Sequence, residues 1–176
     1  MHRINKLFQT KAKDILNIYF TAGYPNLDDT ASIIHALDEA GVDLIEVGMP
    51  YSDPLADGPT IQQSGQAALE NGMTLDILFG QLREVRQKSE VPLIMMGYFN
   101  QVMQYGEEAF IQQCADFGID ALSLPDMPLD VYETEYRTLF EKYGMSIIFL
   151  ITPQTSEARI RQVDALSNGF IYMVSS

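Results

Sequence analysis

The segment EVGMPYSDPLADGP, residues 46–59, concentrates acidic side chains among glycines and prolines. Glu46 lies within the apolar run LIEVG. In a strand, its side chain would point either into a barrel or into the surrounding helix layer. A carboxylate that is buried away from water either pairs with a partner or has its pKa raised. A raised pKa suits a general acid/base that works near neutral pH. The alternative is a structural glutamate that pairs with a helix arginine or accepts from loop amides.

Asp57 follows in the same Gly/Pro-constrained loop, directly before Gly58. The loop can bring it back to the mouth of the strand that carries Glu46, which would place a second carboxylate there. An aspartate before glycine is also common in ordinary turns. Both interpretations stay open from the residues alone.

Residue types that are missing narrow the chemistry. Every lysine and arginine lies in the first thirteen residues or in a predicted helix, so no strand end offers a Schiff-base lysine. Histidines and cysteines are too few for a metal-dependent aldolase, with only His2, His35 and Cys114 in the chain. The GxSxG, GxGxxG and P-loop motifs, which are typical of acyl transfer, dinucleotide binding and nucleoside triphosphate binding, are absent from the sequence. Two carboxylates remain, and their substrate must supply its own electron sink.

Apolar and helical segments alternate along the chain, which predicts an α/β fold. Six apolar runs are typical of buried parallel strands: Ile15–Thr21, Leu44–Gly48, Leu93–Tyr98, Ala121–Leu124, Ser146–Ile151 and Phe170–Val174. Helical spacing occurs around residues 33–40, 75–85 and 160–166. Thr74 and Thr155 are the predicted N-caps, and Gly41, Gly118 and Gly144 the predicted helix stops.

The strand count leaves two architectures. A closed eight-stranded barrel usually needs around 250 residues, more than the 176 present. We therefore expect residues 1–176 to form a single-domain, incomplete (β/α) barrel that ends after the sixth strand. The alternative is an open doubly wound parallel sheet. In either case the loops at the carboxyl ends of the strands should carry the ligand site.

Composition excludes several classes of protein. A hydrophobic content of 47% fits a soluble globular protein. A formal charge of −13 would repel the phosphate backbone of a nucleic acid. The amino-terminal sequence has no signal-peptide core and no run approaches a membrane span, so we expect a cytoplasmic protein. We also expect no metal site.

The motif EVGMPYSDPLADGPTIQ resembles the signature of tryptophan synthase alpha subunits, and TAGYP, MGYFN, PDMP and FIYMVSS extend the resemblance over nearly the whole chain. The resemblance implies a (β/α)8 TIM barrel. It also implies retro-aldol cleavage of indole-3-glycerol phosphate to indole and glyceraldehyde 3-phosphate, a lyase reaction of tryptophan biosynthesis. Glu46 matches the family's acid/base residue, and Asp57 matches the carboxylate that accepts the indole N–H.

The resemblance further implies an indole pocket, a partner and a division of cofactors. The pocket residues by position are Tyr19, Ile61, Met96, Tyr98 and Tyr172, each of which could equally be barrel core. Loop residues that match the partner contacts are Asp53, Pro54, Asn100 and Pro128. The partner is a pyridoxal-phosphate beta subunit in an α2β2 complex to which indole passes, and the alpha chain itself needs no cofactor. Phosphate-binding residues of the family lie beyond Ser176.

Two other functions stay open. A stand-alone indole-3-glycerol phosphate lyase would use the same chemistry without a beta subunit. A catalytically silent subunit that activates its partner would follow if the protein ended at Ser176, since the phosphate site would then be absent.

Overall fold

The computed structural model describes residues 3–175, so His2 and Ser176 lie outside the described residues. It contains six strands, which start and end within two residues of the predicted apolar runs. They are β1 (Asn17–Thr21), β2 (Leu44–Gly48), β3 (Leu93–Met96), β4 (Ala121–Ser123), β5 (Ser146–Ile151) and β6 (Ile171–Met173).

All neighbouring strands are parallel, and their order in the sheet is the chain order from β1 to β6. β1 and β6 therefore form the two edges of the sheet. A doubly wound sheet needs a reversal of strand order, and this sheet has none in residues 3–175. The sheet curls into part of a (β/α) barrel, which confirms the predicted fold class.

Helices separate successive strands. They are α1 (Arg3–Thr10), α2 (Thr30–Glu39), α3 (Pro59–Glu70), α4 (Leu75–Leu82), α5 (Phe99–Tyr105), α6 (Glu107–Asp116), α7 (Leu129–Val131), α8 (Arg137–Lys142) and α9 (Glu157–Leu166). Short 3-10 turns cover Leu27–Asp29 and Val85–Gln87, and a π-helical turn at Tyr132–Tyr136 joins α7 to α8.

The helix ends agree with the sequence at all but one position. Thr74 caps α4 by accepting from the Ile77 amide. Gly41, Gly118 and Gly144 follow helices with positive φ angles, as a helix stop requires. The prediction for Thr155 is wrong, because Ser156 caps α9 instead. The Thr155 hydroxyl accepts from the Thr152 amide, which closes the turn before the helix.

The alternation of side chains along the strands divides the apolar residues between two faces. Ile45, Val47 and Met95 face the helices and join the main core. Leu44, Ile94 and their neighbours on β4 and β5 face the other way and pack against Ile4 of α1. The first helix thus covers the amino-terminal part of the concave face and leaves the carboxyl-terminal part for the site.

A buried charge cluster fastens α1 to the sheet. Asp120, which is 3% exposed, accepts from the Leu93 amide at 2.9 Å and from Arg86 Nη2 at 2.9 Å. Arg3 Nη1 of α1 reaches the other oxygen of Asp120 at 3.2 Å and also pairs with Glu90. Both oxygens of the buried carboxylate are therefore satisfied by cations or an amide.

Among residues 3–175, no helix is both long and apolar enough to cross a membrane.

Replacing Asp120 with alanine should lower the free energy of unfolding by about 3 to 5 kcal/mol, because Arg86 and the Leu93 amide would lose their buried partner. Chemical denaturation of the variant beside Asp116→Ala measures this. Asp116 is exposed at the end of α6, so its replacement should cost less than ~0.5 kcal/mol. Equal losses in the two variants would contradict the assigned role of the cluster.

Candidate active site

A cavity of about 400 Å³ opens at the carboxyl-terminal part of the concave face. It contains both predicted catalytic carboxylates and all five residues predicted to line a pocket. The lining residues are Tyr19, Glu46, Met49, Ala56, Asp57, Ile61, Met96, Gly97, Tyr98, Ser123, Pro125, Leu150, Tyr172 and Val174. Its two acids stand among mostly apolar groups with no lysine or arginine in the lining, an environment suited to an aromatic ligand.

Glu46 lies in the middle of β2 and is 4% exposed. Its Oε1 accepts a hydrogen bond of 2.7 Å from Asn17 Nδ2. Burial raises the pKa of Glu46 above its ordinary value, and the Asn17 hydrogen bond opposes part of that rise. Within residues 3–175, neither an arginine nor a loop amide binds Glu46, so the structural alternative raised from the sequence is not supported.

Asp57 reaches the cavity from the loop between β2 and α3 and is half-buried. Its Oδ2 accepts from the Tyr98 hydroxyl at 3.2 Å, and that hydroxyl accepts from the Ala56 amide at 2.9 Å. Burial raises the pKa of Asp57 above its ordinary value, and the Tyr98 hydrogen bond opposes part of that rise by stabilising the anion. Asp57 therefore lines the cavity and is held there by the Tyr98 hydroxyl.

Gly48 at the end of β2 makes room for Tyr19 on β1. A Cβ at Gly48 would lie 2.1 Å from the Tyr19 hydroxyl oxygen and 2.5 Å from the adjacent ring carbon. The ring therefore lies across the strand end, beside the cavity. Burial is the main cause of a raised Tyr19 pKa, and the charges of Asp57 and Glu46 add to it.

Two sets of side-chain hydrogen bonds hold the loops that surround the cavity. Gln101 Nε2 donates to the Pro50 carbonyl at 2.8 Å, and its Oε1 accepts from the Tyr98 amide at 3.1 Å. Asp126, after β4, accepts from the Phe99 amide with both carboxylate oxygens, at 2.8 and 3.0 Å. The loops after β2, β3 and β4 are thus joined to one another, which fixes Tyr98 and through it Asp57.

The remaining predicted pocket residues come from three elements. Ile61 lies in the first turn of α3, Met96 ends β3, and Tyr172 lies on the edge strand β6 with 39% of its surface exposed. The predicted partner residues lie outside the cavity lining and follow the carboxyl ends of strands, three of them in loops and Asn100 in the first turn of α5. Asp53, Asn100 and Pro128 are exposed, and Pro54 is half-buried.

The sequence interpretation missed several residues of this site. Asn17, the residue that binds Glu46, carried a signal: it is a polar residue in an apolar strand, in period-two register with Tyr19 and Thr21. The other missed residues line the cavity, and apart from the Ser123 hydroxyl at the end of β4 they are small or apolar groups that carried no chemical signal. They are Met49, Ala56, Gly97, Ser123, Pro125, Leu150 and Val174.

No group of three or more His, Cys, Asp or Glu side chains in the described part of the chain is arranged to hold a metal ion. Cys114 is fully buried at the α6 side of the sheet, away from the cavity lining.

Comparison with known proteins identifies close relatives of the whole chain. Residues 6–176 match the sequence model of the family described as tryptophan synthase alpha chain. The tryptophan synthase alpha chain of Flavobacterium johnsoniae is 61% identical over 176 residues, which are 100% of this chain and 69% of the relative.

Solved structures show the same architecture. The tryptophan synthase alpha subunit of Legionella pneumophila superposes with a TM-score of 0.93 at 36% identity, over 99% of this chain and 68% of that one. A structure described as the tryptophan synthase α2β2 complex of Pyrococcus furiosus superposes with a TM-score of 0.86 at 35% identity, over 92% of this chain and 68% of that one.

The raised pKa of Glu46 makes a prediction about stability. The folded protein holds the Glu46 proton more tightly than the unfolded chain does, so its stability should fall as pH rises from the unfolded-state pKa through the folded-state pKa. Glu46→Gln removes this pH-dependent loss of stability because glutamine does not ionise. Its amide oxygen can still accept the hydrogen bond from Asn17. The variant should therefore gain stability relative to the parent protein across that pH window.

Chemical denaturation at a series of pH values measures the difference, with Glu39→Gln as the control because Glu39 is exposed at the end of α2. A Glu46→Gln difference that does not change with pH would show that the folded-state pKa of Glu46 is not raised.

Proposed function

The chain belongs to the tryptophan synthase alpha chain family, and we propose that Glu46 and Asp57 perform the family's reaction in the cavity described above. That reaction is the retro-aldol cleavage of indole-3-glycerol phosphate to indole and glyceraldehyde 3-phosphate. One observation carries the residue assignment. Two carboxyl groups, one on a strand and one on a loop, line the same mostly apolar cavity, and the lining includes no lysine or arginine.

The bond to be broken joins C3 of indole to the glycerol chain. Protonation at C3 gives an indoleninium-like group, which can accept the electron pair of that bond. A base removes the proton of the adjacent glycerol hydroxyl as the oxygen becomes an aldehyde carbonyl. The electron pair then returns to the indole ring, which leaves as neutral indole, so the substrate itself supplies the electron sink.

Glu46 is assigned the proton transfers. Its buried position raises the carboxyl pKa toward neutral pH, where a group can both give and take a proton at useful rates. Its side chain projects from a strand, which fixes its position better than a loop would. With Asn17 as its one hydrogen-bond partner in the described residues, the other carboxyl oxygen stays free for substrate.

Asp57 is assigned the electrostatic role. As an anion it would accept the indole N–H and stabilise positive charge that develops on the ring, an interaction stronger in the transition state than in the ground state. The hydrogen bond from Tyr98 favours the ionised form that this role needs. One carboxyl group therefore exchanges protons while the other keeps its charge.

The indole ring is proposed to lie among the side chains that surround the two acids. Tyr19, Met96 and Tyr172 come from three strands, Ile61 from α3, and Tyr98 from the loop after β3. Large apolar and aromatic surfaces of this kind bind a flat heteroaromatic group through burial and ring packing. The reaction is proposed to need no metal or organic cofactor in this chain.

The partner of the family is a beta subunit, with which alpha chains form an α2β2 complex. We assign Asp53, Pro54, Asn100 and Pro128 to this interface because they match the family's partner contacts and follow the carboxyl ends of β2, β3 and β4. Asn100 Nδ2 donates to the Tyr51 hydroxyl at 2.8 Å, and the Tyr51 ring stacks on Tyr98 at 5.0 Å. A contact at Asn100 would therefore adjoin the residue that binds Asp57. Pyridoxal phosphate is expected in the beta subunit alone, and the complex is expected in the cytoplasm.

Glu46→Gln in the full-length protein should reduce kcat by ~100 to 10,000-fold, as for loss of a general acid/base, with little change in KM. Asp57→Asn should reduce kcat by ~100-fold or more and also raise KM, because the amide carries no charge to stabilise the ring. Steady-state release of indole from indole-3-glycerol phosphate measures both, beside the exposed control Glu39→Gln. Parent-like turnover by Glu46→Gln would overturn the mechanism.

A further inference from the structure

Asn17 is the single polar partner of the Glu46 carboxyl group within residues 3–175. The two side chains are on the same face of adjacent strands, because Asn17 pairs with Leu44 in the register and Glu46 lies two residues further along β2. Such diagonal neighbours are within reach of a long side chain. The Nδ2 to Oε1 distance of 2.7 Å is that of a strong, charge-assisted hydrogen bond.

Within residues 3–175, the carbonyl oxygen of the Asn17 side-chain amide makes no stabilising contact of its own. Its Oδ1 is buried and has no hydrogen-bond partner among the described residues. A buried carbonyl left without a partner lowers stability, so a leucine of similar size would serve packing better. The side chain of Asn17 therefore makes one polar contact, with Glu46, and bears an uncompensated polar atom in order to make it.

We propose that Asn17 is the positioning residue of the acid/base group: its amide holds the Glu46 carboxyl group on the concave face and stabilises its ionised form. Asn17 itself neither gives nor takes a proton. This inference rests on the proposed function of Glu46, and it adds a residue outside the cavity lining to the machinery of the site.

None of the other described groups that face Glu46 carries a positive charge that could stabilise its anion. β3 presents Ile94 and Met96, which are apolar. β1 presents Tyr19 beside Asn17, and the cavity adds Asp57, Tyr98 and Tyr172. All the titratable groups in that set are neutral or negative near neutral pH, so none of them stabilises the Glu46 anion. The Asn17 amide is left as the group that does so.

Direct titration of Glu46 tests the proposal. The full-length protein is labelled with carbon-13 at the glutamate side-chain carboxyl groups, and the Glu46 resonance is assigned by its loss in Glu46→Gln. Asn17→Leu removes the donor at similar size and should raise the pKa of Glu46 by roughly one pH unit or more, the effect of one charge-assisted hydrogen bond. Asn17→Asp should raise it further, because two adjacent carboxyl groups resist joint ionisation.

Asn71→Leu is the matched control. Asn71 also donates from its side-chain amide, to the carbonyls of Gly23 and Pro25, but it does not contact Glu46. Its loss should leave the Glu46 titration unchanged. In the Asn17 variants, the acid limb of the plot of kcat/KM against pH should shift together with the Glu46 titration curve. If Asn17 were only structural, its replacement would change stability but would shift neither the titration curve nor the pH profile.

The outcomes separate the two proposals. An unchanged Glu46 titration in Asn17→Leu overturns the role of Asn17, and Asn17→Ala, which also removes the donor, decides the matter in the same way if the leucine variant does not fold. A shifted titration with an unshifted activity profile supports the Asn17 contact and overturns the assignment of Glu46 as the acid/base group.

Discussion

The site depends on keeping the Glu46 carboxyl group buried without a cation. An arginine or lysine beside it would stabilise the anion and lower its pKa, and the group would then be a poor proton donor near neutral pH. The sheet instead supplies one neutral amide from Asn17 and surrounds the rest with apolar groups. Among residues 3–175, the cations that pair with a buried carboxylate lie at the other end of the sheet, where Arg3 and Arg86 share Asp120.

Asp57 lies in a loop, and hydrogen bonds between loops hold it in position. Its carboxylate is held by Tyr98, whose own amide is held by Gln101, and Gln101 also binds the carbonyl of Pro50. The contacts of Tyr98 with Asp57 and of Gln101 with Pro50 join the loop after β2 to the segment after β3. The two carboxyl groups are thus maintained by different means, one by the register of the sheet and the other by linked loops. This difference is consistent with the different protonation roles proposed for them.

The six strands could be predicted from the sequence because local patterns determine them, whereas the predicted half of the cavity lining followed from the family resemblance. Runs of β-branched and apolar residues marked all six strands, and the motif around Glu46 and Asp57 marked the loop. The Asn17 contact could not be predicted, because it depends on the register between β1 and β2. The cap of α9 was placed one residue early, since Thr155 and Ser156 are equally suitable capping residues and tertiary geometry decides between them.

The most direct test of the central claim is a crystal structure of the full-length Glu46→Gln protein with indole-3-glycerol phosphate bound. The account predicts the indole ring in the cavity, its N–H within about 3 Å of an Asp57 oxygen, and the side chain at position 46 facing C3 and the adjacent glycerol hydroxyl. An indole N–H directed away from Asp57, or a ring bound outside the cavity, would contradict the assignment of the two carboxyl groups.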